Sequence, residues 1–126
     1  MIQKGTIVNI IDNSGAKKAI CIGIKKQGYK QKYAILGTLI LVSIRKLNKS
    51  QNKKVKKGEK YNALILRTKS VIFNNTSNFK KFTDNSVLLL NKKNKFIGTR
   101  IFGLVPKILK KTKFLKLLSI SAGIAI

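Results

Sequence analysis

The sequence predicts a mainly β protein: a small closed β-barrel of about five strands, followed by two short C-terminal helices. Three observations lead there. Short runs of β-branched and aliphatic residues recur at close spacing through residues 1–103, separated by turn-forming residues. From residue 104 the apolar positions change to near-helical spacing. With 126 residues, 44% of them hydrophobic, the chain has the size of one domain, 1–126, and can bury a real core.

The first strand is TIVNIID, residues 6–12, a β-branched run that ends in the turn-forming cluster Asp12, Asn13, Ser14 and Gly15. The second is AICIGI, residues 19–24, with Ile20, Ile22 and Ile24 on one face at period 2 and Gly23 marking a bulge or a close backbone approach. A basic connection, KKQGYKQKY, leads to TLILVSIR, residues 38–45, which is apolar on both faces as in a strand covered on two sides. Residues 45–60, RKLNKSQNKKVKKGEK, hold eight cations, one acid and no apolar period, and read as an exposed loop. YNALILRTK, residues 61–69, is the next strand. Residues 71–73 and 79–82 flank NNTSN as a β-hairpin, and SVLLLN, residues 86–91, ends the β-rich part. Beyond it, Leu104, Ile108 and Leu115, with Val105 and Leu109 beside them, repeat at near-helical spacing; Pro106 can open a helix there, and Thr112 can cap a second short one through Leu118. Closing the sheet into a barrel removes its exposed edges.

Charge narrows the function. The chain has 28 Lys plus Arg against three acids, Asp12, Glu59 and Asp84, for a formal net charge of +25. A compact chain of that charge repels itself, so it needs a polyanion as its partner, with nucleic acid first and an anionic membrane second. There is no His to act as general base near neutral pH, and three scattered acids do not make a carboxylate pair, so no enzyme is expected. One Cys, no His and few acids supply no metal site, and no cofactor is expected. Cys21, in an apolar run, reads as a buried core thiol, and a lone Cys excludes an internal disulfide. Asp12 and its neighbours read as a hydrogen-bonded turn and not as a cation loop.

The basic segments suit a phosphate backbone, with affinity that falls steeply with salt. The candidate RNA contacts are Lys17, Lys18, Lys30, Lys32, Arg45, Lys46, Lys53, Lys54, Lys56, Lys57, Arg67 and Lys69. Tyr29, Tyr33, Phe79 and Phe82 lie among lysines and serve either as stacking platforms or as core anchors. The segment KILKKTKFLKLL has the look of a basic amphipathic membrane helix, but the sheet-like remainder argues against membrane binding. Arg100 stands out: it is one of three arginines among 25 lysines and sits in GTRIFG, between Gly98 and Gly103. A guanidinium can fork onto a phosphate or stack on a base, whereas an ammonium is a point charge. The alternative is an ordinary surface Arg.

Five motifs in order, spanning the chain, resemble the bacterial and organellar type of ribosomal protein family fourteen of the large subunit. They are MIQ with DNSGAKKAICI, VKKGE with ALILRTK, FTDNSVLLLN, GTRIFG and KFLKLLSISA. The resemblance implies a five-stranded closed β-barrel over residues 1–103, a projecting β-hairpin, and a short C-terminal part, 104–126, with two small helices. It implies a structural constituent of the large ribosomal subunit that binds large-subunit rRNA directly and helps form intersubunit bridges to small-subunit rRNA. Thr99 and Arg100 match the family's bridge-side positions, and Lys110, Lys111 and Lys113 are grouped with them. The neighbours implied are large-subunit ribosomal proteins three and nineteen, with a ribosome silencing factor docking on the exposed face. Four features depart from the family pattern: Leu104 replaces a proline after GTRIFG, the hairpin tip carries no cation, the loop before VKKGE is slightly longer and more basic, and the tail SAGIAI lacks the usual Pro-Glu. The bias to 18 Ile, 25 Lys and 11 Asn fits an AT-rich genome. With no targeting segment visible, it points to a protein made inside a mitochondrion for the matrix ribosome; a plastid or a bacterial cytoplasm is the alternative. The other function class is a free-standing basic β-barrel that binds RNA or DNA.

Overall fold

The computed structural model describes residues 1–25, 32–73, 79–107, 109 and 116–125. Five strands close into a barrel: β1 (Ile7–Ile10), β2 (Ala16–Ile24), β3 (Leu39–Leu47), β4 (Lys60–Arg67) and β7 (Ser86–Leu90), in the order β1-β2-β3-β4-β7. Neighbours are antiparallel except at the seam, where β1 runs parallel to β7 with Asn9 opposite Ser86 and Ile10 opposite Val87. Between β4 and β7 the two-residue strands β5 (Ile72–Phe73) and β6 (Phe79–Lys80) pair as a separate hairpin, as expected. The hairpin tip lies outside the described residues.

Two apolar clusters hold the fold. The first fills the barrel and includes Val8, Ile10, Ala19, Cys21, Ile40, Val42, Ile44, Ala63, Ile65, Val87 and Leu89. The second lies on the outer face of β4 and β7, where Leu64, Leu66, Leu88 and Leu90 are covered by Ile101, Val105 and Leu109 from the C-terminal segment. Residues 62–66 and 86–90 are therefore buried on both faces, which is why their sequence does not alternate. On β2 the small residues Ala19 and Cys21 point inward while Ile20 and Ile22 are partly or largely outside. A narrow barrel fits small side chains at such positions. The register shift between Cys21 and Gly23 is the bulge expected at Gly23, and it returns Ile24 to the core edge.

In the C-terminal segment a strand precedes the expected helix, and residues 107 and 109, just after Pro106, have the tight 3-10 form of helical backbone. Residues Ile101–Pro106 form β8, and Pro106 is its last residue. After the five-residue helix α1 (Lys116–Ile120), β9 (Ser121–Ala125) pairs parallel to β8, with Leu104 opposite Gly123 and Val105 opposite Ile124. Proline, which lacks an N–H, is compatible with a strand end, and Val105 and Leu109 are buried against the second cluster. Residue 108 and residues 110–115, including Thr112 and the rest of the first expected helix, lie outside the described residues.

Because β7 is covered on both faces, adjacent truncations should cost alike. Leu88→Ala and Leu89→Ala are each expected to lower stability by about 2–5 kcal/mol in urea unfolding. Leu41→Ala, at a half-buried outer position, should cost roughly half as much. Equal small effects for all three would contradict the two-cluster core.

Candidate nucleic-acid interface

The turn at residues 12–15 is the organising feature. Asp12 is 2% exposed, yet its carboxylate is fully engaged. It accepts from the Ser14 backbone N–H at 3.1 Å, from the Ser14 hydroxyl, and from the Leu89 N–H of β7 at 3.1 Å. Burial pushes the Asp12 carboxyl above the usual carboxylate range; the Ser14 and Leu89 bonds and the charge of Lys54 pull partly the other way. The expected hydrogen-bonded turn is present, and it also ties the end of β1 to β7.

Asn13 uses this fixed position to hold the 99–100 segment. Its Oδ1 accepts from the backbone N–H of Thr99 at 2.8 Å and of Arg100 at 3.2 Å, and its Nδ2 donates to Thr99 Oγ1 at 2.9 Å. Gly98 makes the contact possible: a Cβ there would stand 2.8 Å from Asn13 Oδ1 and 2.8 Å from Asp12 Cβ. Phe102 N–H then donates to Ile11 O at 2.8 Å, continuing the attachment into β8. Thr99 and Arg100 are exposed on this clamped backbone.

The basic loop, residues 48–59, is seated on the same turn. Asn48 N–H donates to Gly15 O at 2.8 Å and Lys54 N–H to Ser14 O at 2.9 Å. Gly15 adopts φ 97°, and a Cβ there would stand 3.0 Å from Lys53 Cα. Val55, 3% exposed, inserts into the barrel core as the loop's anchor. Gly58 N–H donates to Ile44 O at 2.8 Å. Lys53, Lys54, Lys56 and Lys57 are left exposed around this plug. Lys54 also reaches across to Ile97 O at 3.4 Å, joining the loop to the segment that carries Arg100.

The structure thus brings most of the sequence-predicted cations together. Lys17 and Lys18 on β2 and Arg45 and Lys46 on β3 are exposed at the end of the barrel that carries the turn, with Lys18 opposite Lys46. Opposed like charges on neighbouring strands are unfavourable unless an anion lies over them. With the loop lysines and Arg100 they form one cationic face around residues 12–15. Lys32 and Lys69 are exposed elsewhere, Lys69 at the end of β4 with its N–H on Asn85 Oδ1. Arg67 is placed differently from the other candidates. Its side chain is 16% exposed, packs over Gly103 and pairs with Asp84 at 3.5 Å, so it braces β4 against β8. Lys30, Lys110, Lys111 and Lys113, and Tyr29, lie outside the described residues. Tyr33 and Phe79 are exposed and Phe82 is half-buried.

Among the described residues no three His, Cys, Asp or Glu side chains gather as a metal site, and no helix is long and apolar enough to cross a membrane. Cys21 is a buried thiol, its acidity lowered by burial. A family model for ribosomal protein L14p/L23e matches residues 1–125. The chain belongs to that family. It is therefore a structural protein of the large ribosomal subunit, acting in translation within an RNA-based assembly, and not an enzyme. Sequence reasoning picked out the lysines and Arg100 of this L14-family chain but missed Asn13 as the residue that holds Thr99 and Arg100. Asn13 sits in a turn-forming quartet, where its local role hides one 86 residues away.

Asn13→Ala should release the 99–100 backbone. Amide exchange at Thr99 and Arg100 is expected to accelerate well beyond that at β7, while global stability falls by only about 1–2 kcal/mol. Unchanged protection at both amides would show that the clamp is held by something else.

Proposed function

We propose that the cationic face around residues 12–15 binds large-subunit rRNA directly, and that Arg100 reaches small-subunit rRNA as part of an intersubunit bridge. The observation that carries this reading is the convergence on one turn: exposed lysines from β2, β3 and the 48–59 loop, and the clamped 99–100 segment. A preformed cationic surface loses little conformational entropy on binding, so more of its Coulombic gain appears as affinity. Arg45 and the exposed lysines supply attraction to phosphates, which positions the protein but carries little sequence information. Arg100, on a fixed backbone, supplies a planar fork for one geometrically defined contact.

The family likeness extends the proposal to neighbours. Large-subunit ribosomal proteins three and nineteen would adjoin the chain, and a ribosome silencing factor would compete for the face that carries Arg100. The bias to Ile, Lys and Asn supports a mitochondrial ribosome as its home.

Arg100→Lys tests the division of labour. It keeps the charge and removes the fork. The variant is expected to enter large subunits at near wild-type levels and to reduce the fraction that joins small subunits on a gradient. Failure to enter large subunits would make Arg100 an assembly residue and refute the bridge role.

A further inference from the structure

The turn that follows β7 carries charges that the sequence analysis did not single out. Leu90 and Phe96 pair across it, and residues 91–95, NKKNK, form its tip. Leu89 donates to Asp12 and Gly98 packs on Asp12, so this turn projects from the same end of the barrel as the 12–15 turn. Lys92, Lys93 and Lys95 are exposed on it. Lys60, exposed at the start of β4, lines one cleft together with Lys92 and Lys25.

Three asparagines hold the turn in place. Asn91 N–H donates to Lys95 O at 2.9 Å, and Asn94 N–H donates to Asn91 O at 3.0 Å. Asn91 Oδ1 accepts from the backbone N–H groups of Lys93 at 2.9 Å and Lys95 at 3.0 Å. Asn94 adopts φ 58°, a left-handed conformation that asparagine tolerates better than most residues. Asn62 fastens the turn to the barrel: its Nδ2 donates to Asn91 O at 3.4 Å and to Asn94 Oδ1 at 3.1 Å. Asn62 lies opposite Leu90 and is 8% exposed, and the residues after it, Ala63 to Leu66, are apolar and fully buried. A buried amide at such a position is unfavourable unless bonded, and the turn supplies its partners.

Lys92, Lys93 and Lys95 repel one another, and no acid follows Asp84 in the sequence to offset them. Glu59, next to Lys60, is committed to Tyr61. A turn fastened against that repulsion presents its charge to an external anion. The N–H groups of Lys93, Asn94 and Lys95 are all used within the turn, so no backbone nest is open to a ligand there. Contact falls to the ammonium groups, which suit phosphates and carry little base information. We infer that residues 92–95, with Lys60, form a second phosphate-binding element that grips the backbone of large-subunit rRNA. It occupies the β4–β7 side of the barrel end, where Lys17, Lys18, Arg45 and Lys46 occupy the β2–β3 side. The cations then run around the mouth that Val55 plugs, and the barrel meets RNA end-on. The inference rests on the rRNA-binding reading and adds to it a site and an orientation.

The test measures binding of the purified chain to large-subunit rRNA over a series of salt concentrations. One variant combines Lys92→Gln, Lys93→Gln and Lys95→Gln, whose hydrogen bonds within the turn are made by backbone groups and survive. A control of equal charge combines Lys4→Gln, Lys81→Gln and Lys107→Gln, exposed before β1, before β7 and after β8, toward the other end of the barrel. Each neutralised phosphate contributes ~0.7–0.9 to the slope of log affinity against log salt. The turn variant is expected to lose about 2 from that slope, while the control keeps most of it. Equal losses in both would mean that net charge alone acts, and would overturn the inference. Asn62→Leu keeps every lysine and unties the turn. Its affinity is expected to fall by about two- to tenfold, because the lysines must then be ordered on binding. Unchanged affinity in a folded Asn62→Leu protein would also count against the site. In cells the turn variant is expected to enter large subunits less well than the control. Normal entry with poor joining to small subunits would assign the turn to the other subunit's RNA, overturning the inference and leaving rRNA binding intact. Absence of salt-dependent binding by the wild-type chain would instead refute the rRNA-binding reading itself.

Discussion

The buried carboxylate of Asp12 is the interaction on which the rest of the structure depends. It closes the 12–15 turn through Ser14 and reaches across the barrel seam to the Leu89 N–H. The turn then seats the basic loop through Ser14 O and Gly15 O, and Asn13 beside it holds Thr99 and Arg100. The other two acids are spent similarly. Asp84 pairs with Arg67 and accepts from Ser86, and Glu59 accepts from Tyr61. In a chain of net charge +25, every negative side chain fixes geometry, and none is set apart to neutralise the lysines.

That distribution explains how so basic a chain can fold and why it suits an RNA partner. The barrel interior and the second cluster outside β4 and β7 are built from apolar residues, and among the described residues the cations lie on loops, strand ends and outer faces. Burial drives folding, while repulsion among the cations opposes it until a polyanion or salt screens them. The basic loop is shaped in advance by Val55 and by backbone hydrogen bonds at both of its ends. Its lysines are thus presented without an ordering step, although its composition alone resembles that of an unstructured segment.

Much of this was legible in the sequence. Strand-length apolar runs between turn residues located the barrel strands, and the bulge at Gly23 and the buried Cys21 followed from residue type. The sequence marks residues 45–60 as the basic loop, longer than the 48–59 observed, because the charges of Arg45, Lys46 and Lys60 mask the ends of β3 and β4, and its anchoring by Val55 was not readable, since a single valine among lysines has no period. Three further features were hidden because they are non-local. The parallel pairing of β8 with β9 brings together residues about 20 positions apart whose spacing also fits a helix. Arg67 reads in the sequence as one more cation, and only the fold sets Asp84 beside it. Asn13 and Thr99 are separated by nearly the whole barrel in sequence. Within the candidate site, residue type announced the charges, and only the fold reveals that they share one turn.

The central claim is that this charge serves stable residence in the large subunit. Its most direct test is sedimentation of the native protein from a gentle lysate on a density gradient, with and without a high-salt wash and RNase. The account predicts co-migration with the large subunit through the salt wash and release by RNase. Migration near the top of the gradient, or loss from ribosomes at moderate salt, would contradict it and would mean that the cationic face binds polyanions only loosely.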